Sequence, residues 1–235
     1  MKRLLFGLIL ALLLLGPPMN RVDASITLDF QGVLNSVDVS RTVDDGANWY
    51  STAAGLFWFK RVSGDLPQLT DIYTFCLEPR EFTSYDPVTY NVDPLASSPT
   101  NIGGMGEAKA NLLRELYGVY YPVSTNAITA LKGQALQIAT WEIVRETSGT
   151  YDVLNGTTQF NPAYGGAALT EAQTYLANIL GGNYSLRTDI MAATNGSLSV
   201  VGYQDTWVPV PVPAAFWLLG SGLLGLVAIR RRFRK

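Results

Sequence analysis

"ITLDFQGVLNSVDVSRTV", Ile26 to Val43, decides how the rest of the chain is read. Ile26, Leu28 and Phe30 alternate with Thr27, Asp29 and Gln31, and residues 36–43 resume the period through Val37, Val39 and Val43. A repeat of two places neighbouring side chains on opposite faces, so both halves read as half-buried strands. Asp44-Asp45-Gly46 then marks a turn. Gly55 to Lys60 (GLFWFK) reads as a strongly aromatic strand, Asp71 to Leu77 as another, and Ser197 to Tyr203 alternates again through Leu198, Val200 and Gly202.

The stretch between these strands has a different texture. Glu78 to Gly104 is rich in Pro, Ser, Thr, Asn and Tyr without periodicity, and reads as a long irregular loop covering one edge of the sheet. Helices follow. Glu107 to Tyr117 carries Ala108, Leu112, Leu113 and Leu116 at helical spacing and is expected to stop at Gly118. A second helix falls within Ala127–Thr147, firm from Gly133 and stopped by Ser148-Gly149. A third runs from Glu171 to Leu180, with Thr170 and Gln173 at capping-box spacing and Gly181-Gly182 closing it. Strands, then helices, then a strand, with no regular βαβ alternation and no internal repeat, predict an α+β fold. Its architecture is expected to be an antiparallel sheet or sandwich with a helical insertion.

The two ends point to export. Lys2 and Arg3 precede an unbroken apolar run, Leu4 to Leu15, and Gly16-Pro17-Pro18 breaks it before Val22-Asp23-Ala24. The run is short beside the roughly 20 residues that span a bilayer. A signal peptide over residues 1–24, cut by signal peptidase after Ala24, is therefore expected. At the other end Ala214 to Ile229 is an apolar helix candidate, followed by Arg230, Arg231, Arg232, Arg234 and Lys235. Basic residues beside a membrane helix favour the cytoplasmic side, so the middle, residues 25–206, is expected outside the inner membrane. Residues 207–235 are then a C-terminal unit of their own.

That tail, Val210-Pro211-Val212-Pro213-Ala214 followed by Trp217-Leu218-Leu219-Gly220-Ser221-Gly222, resembles the PEP-CTERM sorting signal in its VPLPA-type form. The resemblance implies processing by an exosortase, a membrane-embedded cysteine peptidase of Gram-negative bacteria that make exopolysaccharide. It also implies passage through the inner membrane to the cell surface or the extracellular space. Val212 stands where the name-giving motif has an acid, which leaves open whether the tail is cleaved. The alternative for the same residues is a plain membrane anchor.

Composition narrows the chemistry. Of 17 basic residues, Lys2, Arg3 and Arg21 lie in the leader and five in the tail, so the middle is acidic and carries no basic patch. Nucleic acid, which needs clustered Lys and Arg, is excluded as a partner. There is no histidine and only one cysteine. Ser-His-Asp and Cys-His catalysis and His- or Cys-rich metal sites are closed off, as is any disulfide within the chain. No cofactor is expected.

The single cysteine lies in "YTFCLEP", Tyr73 to Pro79, and the second helix reads "LQIATWEIVRE", Leu136 to Glu146. Gln137 and Trp141 are one turn apart, as are Gln134 and Ile138, so all four share roughly one side. Glutamine gains little from burial, which makes it unusual on such a face. A cysteine after an aromatic in a strand, then Gln137-Ile138-Ala139-Thr140-Trp141 in a helix, resembles the thioester domains of bacterial surface adhesins and their TQxA motif. Leu136 replaces the family's threonine. The resemblance implies that the Cys76 sulfur displaces ammonia from the Gln137 side chain, forming a thioester that a surface amine later opens. Tyr73, Phe75 and Trp141 would shield it.

A second reading needs no reaction: Cys76 packs as a small hydrophobe against Trp141 and Gln137 bonds to backbone. Glu142, Arg145 and Glu146 fit a solvated helix face. Three functions therefore stay open. The first is a non-enzymatic surface or extracellular-matrix module that binds or builds in a polysaccharide-rich envelope. The second is a covalent adhesin. The third is a secreted glycosidase using a carboxylate pair, for which no acidic motif stands out.

Overall fold

The computed structural model describes residues 24–44, 46–121, 128–182, 184–196 and 202–210. The alternation at the start of the domain becomes one strand, β1 (Ser25–Thr42), not two. Register shifts at Phe30/Gly32 and Leu34/Val37 let it bend without breaking. It pairs antiparallel with β2 (Tyr50–Gly64) from Ile26 opposite Gly64 to Arg41 opposite Tyr50. Gly64 adopts φ +112°, and a Cβ there would lie 2.4 Å from the Ser25 carbonyl oxygen. Only glycine fits where these strands cross so closely.

Around this hairpin stand β3 (Asp71–Thr74), β4 (Val88–Asp93), β5 (Gln159–Phe160), β6 (Ile190–Thr194) and β7 (Thr206–Pro209). All pair antiparallel, in the order β3-β2-β1-β4-β6-β7, with β5 on the far end of β1. The two edges then meet. Cys76, just past β3, bridges Thr206 on β7, and the Leu77 N–H donates to the Asp205 carbonyl at 2.8 Å. The sheet nearly closes on itself, which removes edges that would otherwise pair with other chains. The α+β class and the antiparallel sheet are as the pattern predicts, but there is one curled sheet where a sandwich was an option.

The helical insertion holds α1 (Gly106–Tyr120), α2 (Ala130–Arg145) and α3 (Ala167–Gly181). The middle one lies against β1 and β2 on one side and against α1 and α3 on others. Every residue from Ala135 to Glu146 is consequently buried. Thr129 caps its start, accepting from the Lys132 N–H at 3.3 Å.

Several expectations need correction. Within the supposed loop, β4 alternates cleanly, burying Val88 and Tyr90; Pro87 and Pro94 flank it closely enough to hide a short strand. The first helix runs through Gly118 to Tyr120. The third starts at Ala167 with Gly166 at its cap, and Gln173 is interior, accepting from the Val153 N–H at 2.9 Å. Of the supposed last strand, Gly202 and Tyr203 are outside any strand, and residues 197–201 lie outside the described residues, as do 1–23 and 211–235. The strand that completes the sheet is β7, whose Trp207 and Val208 are fully buried. Among the described residues no helix is long and apolar enough to cross a membrane.

Candidate functional site

Cys76 and Gln137, 61 residues apart in sequence, meet in the core. On one side, residues 74–77 are zipped to β7: Thr74 and Thr206 share a hydroxyl hydrogen bond at 2.9 Å, and Thr206 Oγ1 donates to the Phe75 carbonyl at 2.9 Å. On the other side no strand is available to Cys76. Its N–H donates to Gln137 Oε1 at 2.9 Å, and Gln137 Nε2 donates back to the Cys76 carbonyl at 2.9 Å. The side-chain amide thus stands in for a neighbouring peptide group. That satisfies both halves of a buried glutamine, whose unpaired amide would be costly. Both residues are 0 % exposed.

Trp141, one turn beyond Gln137 and equally buried, faces the Cys76 sulfur and gives its indole N–H no regular acceptor. Burial pushes the Cys76 thiol well up from its ordinary value, opposed by the Trp141 indole. Phe75 is buried and stacks on Tyr117 at 5.8 Å, whose hydroxyl shares a hydrogen bond with Thr140 Oγ1 at 2.6 Å. Tyr73 is only half-buried and stacks on Trp58 at 6.3 Å, so it takes no part in the shield. Gln134 also leaves the group: its amide donates to the Asn35 carbonyl at 2.7 Å.

Three charged residues join the site that sequence reasoning did not place there. Arg145, expected in solvent, is 8 % exposed and donates from Nη2 to Glu78 Oε1 at 2.5 Å; that oxygen also accepts the Arg80 N–H at 2.7 Å. Arg41, 3 % exposed, sets its guanidinium 5.6 Å from the Trp141 ring centre. Burial lowers Arg41 to about 10, against the raising influence of Cys76 and Glu78. The signal was thin: Glu78 is two residues from Cys76 and Arg145 one turn from Trp141, but Arg41 sits in a strand whose pairing brings it near.

The other helix charges are buried as well. Glu142, 0 % exposed, accepts from the Asp152 N–H at 3.0 Å, and burial, reinforced by Glu146, pushes its carboxyl up to about 10. Burial pushes Glu146 the same way, but hydrogen bonds from Ser148 and Thr158 hold it below its ordinary value. Among the described residues no group of three or more acidic, cysteine or histidine side chains could hold a metal ion.

Comparison with known proteins bears on the far end of the chain. Residues 209–232 match the family model of the PEP-CTERM protein-sorting motif. The match takes in Val212, runs through the apolar stretch and ends within the arginine cluster. No curated protein and no solved structure matches. The chain therefore carries a PEP-CTERM sorting signal, which implies an exported protein with a membrane-associated sorting step handled by an exosortase.

Proposed function

We propose that the exported domain is a covalent adhesion module, in which Cys76 and Gln137 form an internal thioester that a surface amine opens. One observation carries this: the Gln137 carboxamide is held against Cys76 by two hydrogen bonds in a site with no solvent exposure. The Cys76 sulfur attacks Gln137 Cδ, the Cδ–Nε2 bond breaks, and ammonia leaves with the thiol proton. No oxidant or cofactor is required. The Cys76 N–H, already 2.9 Å from Oε1, lies where the tetrahedral intermediate places its negative charge, within the span effective for oxyanion stabilisation. Burial keeps water from hydrolysing the product. An incoming primary amine then forms an amide with Cδ and returns the sulfur as a thiol. The reaction runs once per chain, so the module is an attachment device, not a catalyst.

A second reading is favoured by the same two hydrogen bonds. They satisfy the Gln137 amide without any reaction, as a non-covalent binding or structural module would need. Treatment with methylamine separates the two. The covalent reading predicts a chain whose thiol is masked even when denatured, and that gains one methylamine together with one free thiol. A thiol that titrates fully in the denatured, untreated chain contradicts it.

A further inference from the structure

A groove of about 850 Å³ runs along β1 and β2 beneath the chain that follows Cys76. Its floor holds Phe30, Phe57 and Arg41, and its rim Tyr50, Phe82 and Tyr85. Phe82 is 85 % and Tyr85 81 % exposed, the two most exposed large hydrophobic side chains among the described residues. Rings left in water together, around one concavity, mark a binding surface. Tyr85 is held in place by Phe30, their ring centres 5.6 Å apart.

Arg41 supplies a second, independent sign. It is 97 % buried by its 3 % exposure, yet Nε and Nη1 have no hydrogen-bond partner. The groove's other arginine, Arg80, lies 3.9 Å from Asp44, whereas Glu78 gives its Oε1 to Arg145 and the Arg80 N–H and reaches Arg41 only as a nearby charge, its buried Oε2 having no hydrogen-bond partner. Glu81, also in the lining, has its carboxyl pushed up to about 7 by burial and by Glu78, so it opposes Arg41 only weakly. A buried guanidinium whose Nε and Nη1 no protein acceptor takes is suited to an anionic group such as a carboxylate.

We propose that this groove binds an acidic saccharide, its uronate carboxylate directed to Arg41 and its ring faces stacked on Phe82 and Tyr85. Sugar rings offer flat C–H faces to aromatic platforms and hydroxyls to the amides of Asn48 and Gln204 in the same lining. An acidic peptide would satisfy Arg41 but leave the aromatic rim unused, so the saccharide is the better match. The site is reversible and stands whether or not the thioester forms.

Titration calorimetry on the full chain in detergent, with trigalacturonate as the probe, tests it. Binding is expected, with affinity reduced about tenfold or more in Arg41→Gln, the scale of one lost charged hydrogen bond. Because Arg41 is buried, the double variant Phe82→Ala/Tyr85→Ala, confined to exposed rings, decides if Arg41→Gln misfolds; it is expected to weaken binding at least as much with an unchanged circular dichroism spectrum. Absence of binding overturns the proposal, as does equal affinity for neutral trigalactose. Polyglutamate binding that is indifferent to the rim variant also overturns it, and would identify an acidic-peptide site.

Discussion

Gln137 is the residue on which the domain's interior turns. Before ammonia leaves, its amide replaces a missing strand beside Cys76, so adding Gln137→Ala to Cys76→Ala, in which no thioester can form, strands two buried backbone groups at once. Each unsatisfied group costs about 1–3 kcal/mol, and urea unfolding of the variant is expected to show a loss of at least that size. In the same background Gln137→Glu is expected to be worse than Gln137→Ala, since its carboxylate cannot donate to the carbonyl of residue 76 and would be a buried charge. A destabilisation below about 0.5 kcal/mol in either variant would mean the pairing is not formed. The meeting of Cys76, Gln137 and Trp141 is legible in the sequence because a lone cysteine and a misplaced glutamine both need explaining. The burial of Glu142, Arg145 and Glu146 is not. Their spacing is identical on a wet face and a dry one, and their partners, Glu78, Asp152 and Thr158, come from loops remote in sequence.

Among the elements, β7 is the one that closes the sheet. Its Trp207 packs 5.0 Å from Tyr117 and 5.1 Å from Tyr121, with the Arg187 guanidinium 5.7 Å from its ring. Trp207→Ala is expected to cost about 3–5 kcal/mol by thermal or urea unfolding. A chain ended before Thr206 is expected to lose cooperative unfolding, and one ended after Val210 to keep it; equal behaviour of the two would show that β7 is dispensable. The two halves of β1 and the existence of the three helices are legible from period, whereas the joining of those halves into one strand and the helix ends are not. The short strands are not, because β4 is framed by prolines and β7 offers only Thr-Trp-Val-Pro, too few residues for a period to register. Their strand character comes from pairing with β1 and β6, which is a property of the sheet.

For the whole molecule, the buried acids set how stability responds to pH. Folding holds Glu142 up to about 10, Glu81 to about 7 and Asp205 to about 6, each above its ordinary value. A folded state that binds more protons than the unfolded one loses stability as pH rises. The decline therefore starts where the free carboxyls ionise, from an ordinary value of 3.8 for Asp205 or 4.5 for the glutamates, and continues towards about 10 for Glu142. Below that window the depressed groups, Asp44 at about 2 and Glu146, act in the opposite sense. Thermal melts are expected to peak at mildly acidic pH. Glu142→Gln, which keeps the acceptor for Asp152, is expected to gain about 2 kcal/mol or more near about pH 8 and to flatten the alkaline side of the profile. A profile rising steadily from acid to alkali would contradict this. Such a domain, exported with a PEP-CTERM sorting signal, has no disulfide within the chain to hold it together and relies on its nearly closed sheet and dry interior. Within that interior the central claim is the bond between Cys76 and Gln137, and intact mass of the purified chain tests it most directly. The account predicts a chain lighter by one ammonia, with the deficit abolished in Cys76→Ala and in Gln137→Ala alike; a chain at its full calculated mass, with Cys76 a free thiol, would contradict it.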